Sequence, residues 1–259
     1  MNTQAILHIA IMALVFMSLG WLYQVKKKNA GIVDAIWSYG IMIASIYYAI
    51  TSSGDIQIRI LVALIGGLWF LRLGTHIFLR MLSEPEDGRY AYVRQLYGNK
   101  TNLFHLGFFL FQAGLIVLFS LPMWLASQHT DPNMVAMISA VLIVAIALLG
   151  EYQADHQLHL FRSDPDNKGK TCRVGLWKYS RHPNYFFEWC HWFAYPVMAI
   201  GMPNGFWLWL SPVCMFIFLW YITGIPFTEK QALKSRGDDY RNYQKTTSAF
   251  FLWPPKQSA

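Results

Sequence analysis

Apolar runs long enough to cross a bilayer, about 17–25 residues each, recur along the chain and are separated by polar stretches. Their positions predict seven helical spans, at about 4–25, 32–51, 56–81, 103–126, 133–161, 184–201 and 204–225. The expected fold class is all-α: a single polytopic membrane domain over 1–259. Within it, 1–102 holds helices 1–3 and the substrate-side polar groups, 103–225 holds helices 4–7, and 226–259 forms a tail. The first apolar stretch is too long for a signal-peptide core and ends in Lys26-Lys27-Lys28, so no cleavable leader is expected.

Composition supports the same class. The chain is 55% hydrophobic and 14% charged, against about 25% charged in soluble domains. A net charge of +7 could point to nucleic acid, but its placement points to membrane orientation instead. Eighteen of the 21 basic residues fall in 26–31, 82–102, 162–183 and 226–259, and the connections at 52–55, 127–132 and 202–203 carry none. Cytoplasmic loops collect Lys and Arg. The N-terminus is therefore expected outside and the C-terminus in the cytoplasm, in the inner membrane if the source is bacterial, with no nucleic-acid partner. Cys172, Cys190 and Cys214 lack metal-like spacing and read as packing residues.

Ionisable groups inside spans cost several kcal/mol unless paired or hydrated, which marks them as functional candidates. Span two opens with Asp34, followed by Trp37 and Tyr39. Span three carries Arg72, His76 and Arg80 on one helical face. Span five ends with Glu151, Asp155 and His159, and span six brings Asn184, Glu188 and His191. Together these stripes describe a hydrated cavity open to the cytoplasm. Each has a structural alternative. Arg80 can snorkel to the headgroups, Asp34 can favour a helix N-terminus, Glu151 and Asp155 can be helix-end charges, and His191 can be a satisfied interior histidine. His156 and His159 have tolerable metal spacing, yet acids and water explain them as well, so no metal site is assigned. No Gly-x-Gly-x-x-Gly follows a strand, which sets aside a Rossmann domain.

The densest chemistry lies at 175–188, Gly-Leu-Trp-Lys-Tyr-Ser-Arg-His-Pro-Asn-Tyr-Phe-Phe-Glu. Arg for phosphate, aromatics for ring stacking and an amide for a hydrogen-bonding edge are what a nucleotide pocket needs. The segment resembles the signature of the steroid 5α-reductase family, a clan shared with sterol reductases and isoprenylcysteine carboxyl methyltransferases. The likeness covers most of span five through the tail, about the last 110 residues, with weaker support from span two through the loop at 84–90. It implies NADPH as cofactor, contacted by Arg80, Arg89, Tyr90, Glu151, Asp155, Arg162, Arg173, Leu176, Trp177, Arg181, His182, Asn184, Tyr185 and Glu188. Tyr240 and Tyr243 belong to a tail that folds back over the pocket. The mammalian enzymes place a Glu on span two and a Tyr on span three; here span three has no tyrosine, and Asp34, Tyr39, Arg72 and His76 stand as the catalytic candidates.

The reaction so implied is NADPH-dependent reduction of a lipophilic enone, such as a 3-oxo-Δ4-steroid reaching the site through the membrane. Hydride adds to the β-carbon, a donor stabilises charge on the carbonyl oxygen, and a proton reaches the α-carbon. The same Arg-His-Pro-x-Tyr core also fits a membrane methyltransferase using S-adenosylmethionine on an isoprenylcysteine or phospholipid, and that alternative stays open. A lipid-binding or scaffolding protein descended from such enzymes is the third reading.

Overall fold

The computed structural model describes residues 3–256. It is all-α, with α1 Gln4–Lys27, α2 Ile32–Thr51, α3 Ile56–Ser83, α4 Gly88–Tyr97, α5 Thr101–Ala126, α6 Met134–Ser163, α7 Pro183–His191, α8 Ala194–Met198, α9 Leu210–Ile217 and α10 Ile225–Thr246. Six helical runs are long and apolar enough to cross a membrane: Gln4–Lys27, Ile32–Thr51, Ile56–Ser83, Gly88–Ala126, Met134–Ser163 and Gly205–Thr246. The exterior is that of a multi-pass membrane protein. Leu7, Ile11, Leu64, Leu68, Leu142 and Ile146 are all about half exposed or more, where a soluble chain would place polar groups.

The span expected at 184–201 is not a continuous helix. It divides into α7 and α8, and the backbone tightens between them through Trp192 N to Trp189 O and Phe193 N to Cys190 O, both 3.1 Å. Pro196 supplies the reason. It has no N–H to give the Trp192 carbonyl four residues earlier. The Ser211 hydroxyl donates to that carbonyl instead, at 3.4 Å.

The chain forms two compact units, Met1–Met137 with Met198–Leu208, and Ile138–Val197 with Trp209–Ala259. In the first, α2 packs along α3, α1 lies on α5, and α2 also meets α1 and α5. Buried Met17, Ile41, Ile58, Phe70, Phe109 and Ile116 form its centre. With lipid outside, apolar burial alone cannot hold helices together; close approach and interhelical hydrogen bonds do more of it. Gly20 faces Ile36 and Phe109, and Gly40 faces Ile116. The Ser38 and Ser45 hydroxyls cross from α2 to the α3 carbonyls of Phe70 and Val62, at 2.8 and 2.7 Å.

In the second unit, a widened turn at Phe218–Ile222 follows α9 and is closed by Thr223 N to Phe218 O at 2.8 Å. Helix α10 then breaks at Gly237, whose φ of 53° is open to glycine at little cost. After the break Tyr240 and Tyr243 are buried. The residues beyond α10 pack into an aromatic cluster, with Phe250 wholly buried among Phe186, Trp189 and Phe216.

Candidate functional site

In the second unit, the signature segment begins with a tight turn over Gly175–Lys178. Gly175 has a φ of +54°, and a Cβ there would lie 2.3 Å from the Gln157 carboxamide. Glycine is required on both counts. Gln157 uses that proximity to accept from Leu176 N at 2.8 Å. The Trp177 indole donates to the Ala154 carbonyl at 2.8 Å and is buried. Leu176 and Trp177 are therefore fastened to α6.

The tail holds the other side of the segment. Arg181 N donates to Ser248 O at 2.9 Å and Trp253 N to Tyr179 O at 3.1 Å. The Ser180 hydroxyl donates to Phe250 O at 2.8 Å. The Tyr243 hydroxyl donates to the Trp177 carbonyl and to that of Ser180. The Arg181 side chain spans the gap between segment and tail. Its Nε donates to Glu229 Oε1 at 2.7 Å, and its Nη1 to the carbonyls of Gln244 and Thr247 at 3.1 and 2.7 Å. A guanidinium on the last carbonyls of α10 also meets the negative end of that helix. Gln244 Nε2 completes the cluster by donating to Glu229 Oε2 at 2.7 Å.

His182 is buried, with Nε2 3.3 Å from Glu229 Oε1 and its ring stacked 5.3 Å from Tyr185. Burial pushes its imidazole pKa below the usual histidine range, with the Glu229 hydrogen bond and charge working the other way. The downward shift favours the neutral ring, for which this contact is a hydrogen bond rather than an ion pair. Tyr185 has its hydroxyl 3.0 Å from Thr228 Oγ1. Arg173, half exposed, donates to Asp239 Oδ1 at 2.6 Å and stacks over Tyr243.

Asn184 on α7 and Asp155 on α6, 29 positions apart, meet. The Asn184 amide donates to Asp155 Oδ1 at 3.2 Å. Both are half-buried, as is Glu188 one turn further along α7, while Glu151 one turn before Asp155 is buried. Gly150 lets the two helices approach: a Cβ there would lie 2.3 Å from the Phe187 ring. Gly150→Val is expected to push that ring and α7 away, costing about 1–3 kcal/mol in stability. Thermal melting of the detergent-purified protein measures it. Removing the ring as well, in Gly150→Val/Phe187→Ala, should cost less than the two single losses added.

Arg162 is exposed at the end of α6, and Arg236 is half-buried over the Tyr240 ring at 5.2 Å. Both lie close enough to Cys172 to favour its thiolate, although burial prevails and holds that thiol above its usual pKa. Among the described residues neither guanidinium is hydrogen-bonded to a carboxylate, in contrast to Arg173 and Arg181.

In the first unit, Asp34 accepts from Arg89 Nη2 at 3.0 Å and from the Tyr90 hydroxyl at 2.9 Å. Arg89 also donates to Asp87, which caps α4 by accepting from Arg89 N at 2.9 Å. Burial acts to raise the Asp87 pKa, but the hydrogen bonds and charge of Arg89 outweigh it and hold the carboxyl below the usual range. The Tyr39 hydroxyl is 3.1 Å from Thr75 Oγ1. The Arg72 guanidinium stacks over Trp69 at 5.1 Å, while His76 and Arg80 are exposed.

Several of these groups escape sequence reasoning. Glu229 and Thr75 have partners at separations of 48 and 36 positions, and no local pattern points to those partners. A second polar group does carry a signal, because Gln24 is an amide inside an apolar helix. It is fully buried, accepts from Arg94 at 3.0 Å and lies 3.2 Å from His105 Nδ1; Arg94 in turn pairs with Glu86 at 2.7 Å.

No functionally curated protein matches the chain significantly. A family model described as a protein of unknown function, DUF1295, matches residues 20–247. A match over most of the chain settles the relationship: this protein belongs to the DUF1295 family of membrane proteins.

Proposed function

We propose that this protein is an NADPH-dependent reductase of a lipophilic enone, with its cofactor groove on the second unit and its basic loops in the cytoplasm. The observation that carries the reading is the Asn184–Asp155 hydrogen bond. Two residues nominated separately for the cofactor stand together, on two helices, in a chain short of polar groups. A carboxylate that orients an amide toward a ligand edge is a preorganised donor–acceptor pair. Arg162 follows Asp155 by two helical turns, roughly 10 Å along α6 at 1.5 Å per residue. With Arg236 it offers guanidinium groups that, among the described residues, make no hydrogen bond to a carboxylate, although Asp239 lies near Arg236; phosphate oxygens suit such donors. The donor set therefore fits a phosphorylated dinucleotide. Arg181 and Arg89 are committed to carboxylates within the protein and take a supporting part.

When bound, NADPH supplies the hydride. The protein's own tasks are to bind, to orient and to polarise. Asn184 and Asp155 hold an amide edge, and Arg162 and Arg236 take phosphate. A donor fixed before the reaction stabilises developing oxyanion charge on the substrate carbonyl without reorganisation.

The test is a melting series on the full-length protein with NADPH, NADH and S-adenosylmethionine added separately. Selective ligands raise the midpoint in proportion to the logarithm of their concentration. NADPH alone is expected to do so, with NADH weaker for want of the 2′-phosphate. A rise with S-adenosylmethionine alone would replace this reading with the methyltransferase one.

A further inference from the structure

A pocket of about 690 Å³ opens beneath the tail in the second unit. Phe186, Phe251 and Trp253 form its apolar side, and Arg181, Lys245 and Lys256 its charged side, with no Asp or Glu in the lining. Arg181 is already paired with Glu229, so the two lysines set the sign of the pocket. Neither has a carboxylate partner among the described residues. Trp253 is 69% and Phe251 44% exposed, an arrangement that water would disfavour and that suits the headgroup level of a bilayer.

We propose that this pocket holds one anionic phospholipid of the surrounding membrane, its phosphate at Lys245 and Lys256 and an acyl chain along Phe186, Phe251 and Trp253. The occupant must satisfy both walls. A free phosphate meets the lysines but leaves the aromatic wall uncovered, and a nucleotide stacks one planar base there without an apolar chain to run along Phe186, Phe251 and Trp253. A neutral lipid covers the wall and leaves the lysines without a counter-charge. An anionic phospholipid does both, and basic groups near the surface favour it over a zwitterionic one. The site is separate from the Asn184–Asp155 pair and does not depend on the reductase reading.

Native mass spectrometry of the full-length protein, released from micelles containing phosphatidylglycerol and phosphatidylcholine in equal amounts, tests the proposal. One phosphatidylglycerol per chain should be retained in preference by about thirtyfold, the scale expected of two surface lysines. Lys245→Gln/Lys256→Gln should reduce that preference nearly to one, with the lipid-free melting point unchanged. Trp253→Glu, at an exposed position, should abolish retention and provides the test should the lysine variant fail to fold. Glycerol phosphate, a headgroup without chains, should not compete. Equal retention of the two lipids, or a preference that survives the lysine variant, would overturn the proposal. So would release of the lipid by NADPH, which would give the pocket to the nucleotide. Absence of NADPH binding altogether would count against the reductase reading and leave the lipid result standing.

Discussion

Glu229→Ala is expected to lower the stability of the protein by about 3–5 kcal/mol, the cost of removing one partner of a buried ion pair. The Arg181 and Glu229 side chains are only 12% and 14% exposed. In the variant the guanidinium keeps its two carbonyl acceptors but loses its counter-charge, and His182 and Gln244 lose their acceptor. The fall in melting midpoint should be roughly 10 °C. Glu229→Gln keeps an acceptor for Arg181 Nε and should fall less. Because this cluster joins the signature segment to the tail, limited proteolysis of Glu229→Ala should cut first within 244–256. An unchanged midpoint would show that the hydrogen bonds from Arg181 N and the Ser180 hydroxyl to the Ser248 and Phe250 carbonyls hold the tail without it.

Asn184→Ala carries the second large effect, on ligand binding. The substitution removes the donor to Asp155 and, in the proposed function, the group that meets the cofactor's amide. Loss of a hydrogen bond to the ligand costs about 0.5–1.5 kcal/mol, so the NADPH concentration needed for a given stabilisation should rise about two- to tenfold. Asn184→Asp should do worse, since it sets a second carboxylate against Asp155 at hydrogen-bond distance. A residue with a purely structural role behaves differently. The ligand-free midpoint then drops while the increment produced by NADPH stays the same, and that result would remove Asn184 from the site.

The two cases differ in how far they can be read along the chain. Asp155 and Asn184 stand out because a carboxylate and an amide at the ends of apolar runs are costly and therefore noticeable. That they touch depends on Gly150, whose missing side chain lets the Phe187 ring sit against α6. Arg181 stands out equally, and phosphate is the natural partner to infer for an arginine in such a segment. Its structural partners are Glu229 and the carbonyls of Gln244 and Thr247, 48 to 66 positions away. No local spacing encodes a pair that forms only when the tail returns. The first unit repeats the lesson: Asp34 and Arg89 are each legible as candidates, yet their mutual salt bridge at 3.0 Å arises from a separation of 55.

The division of the 184–201 segment has the same origin. Hydropathy counts apolar residues and registers a span; it does not weigh the one N–H that Pro196 lacks, or the Ser211 hydroxyl that compensates. Composition and periodicity by themselves determined that this chain is a helical membrane protein, because transfer of apolar surface is a sum over residues and needs no knowledge of neighbours. They also determined where costly polar groups collect. Tertiary structure alone decided which of those groups pair with one another, because a hydrogen bond is satisfied by geometry, and geometry between distant segments exists only in the folded chain.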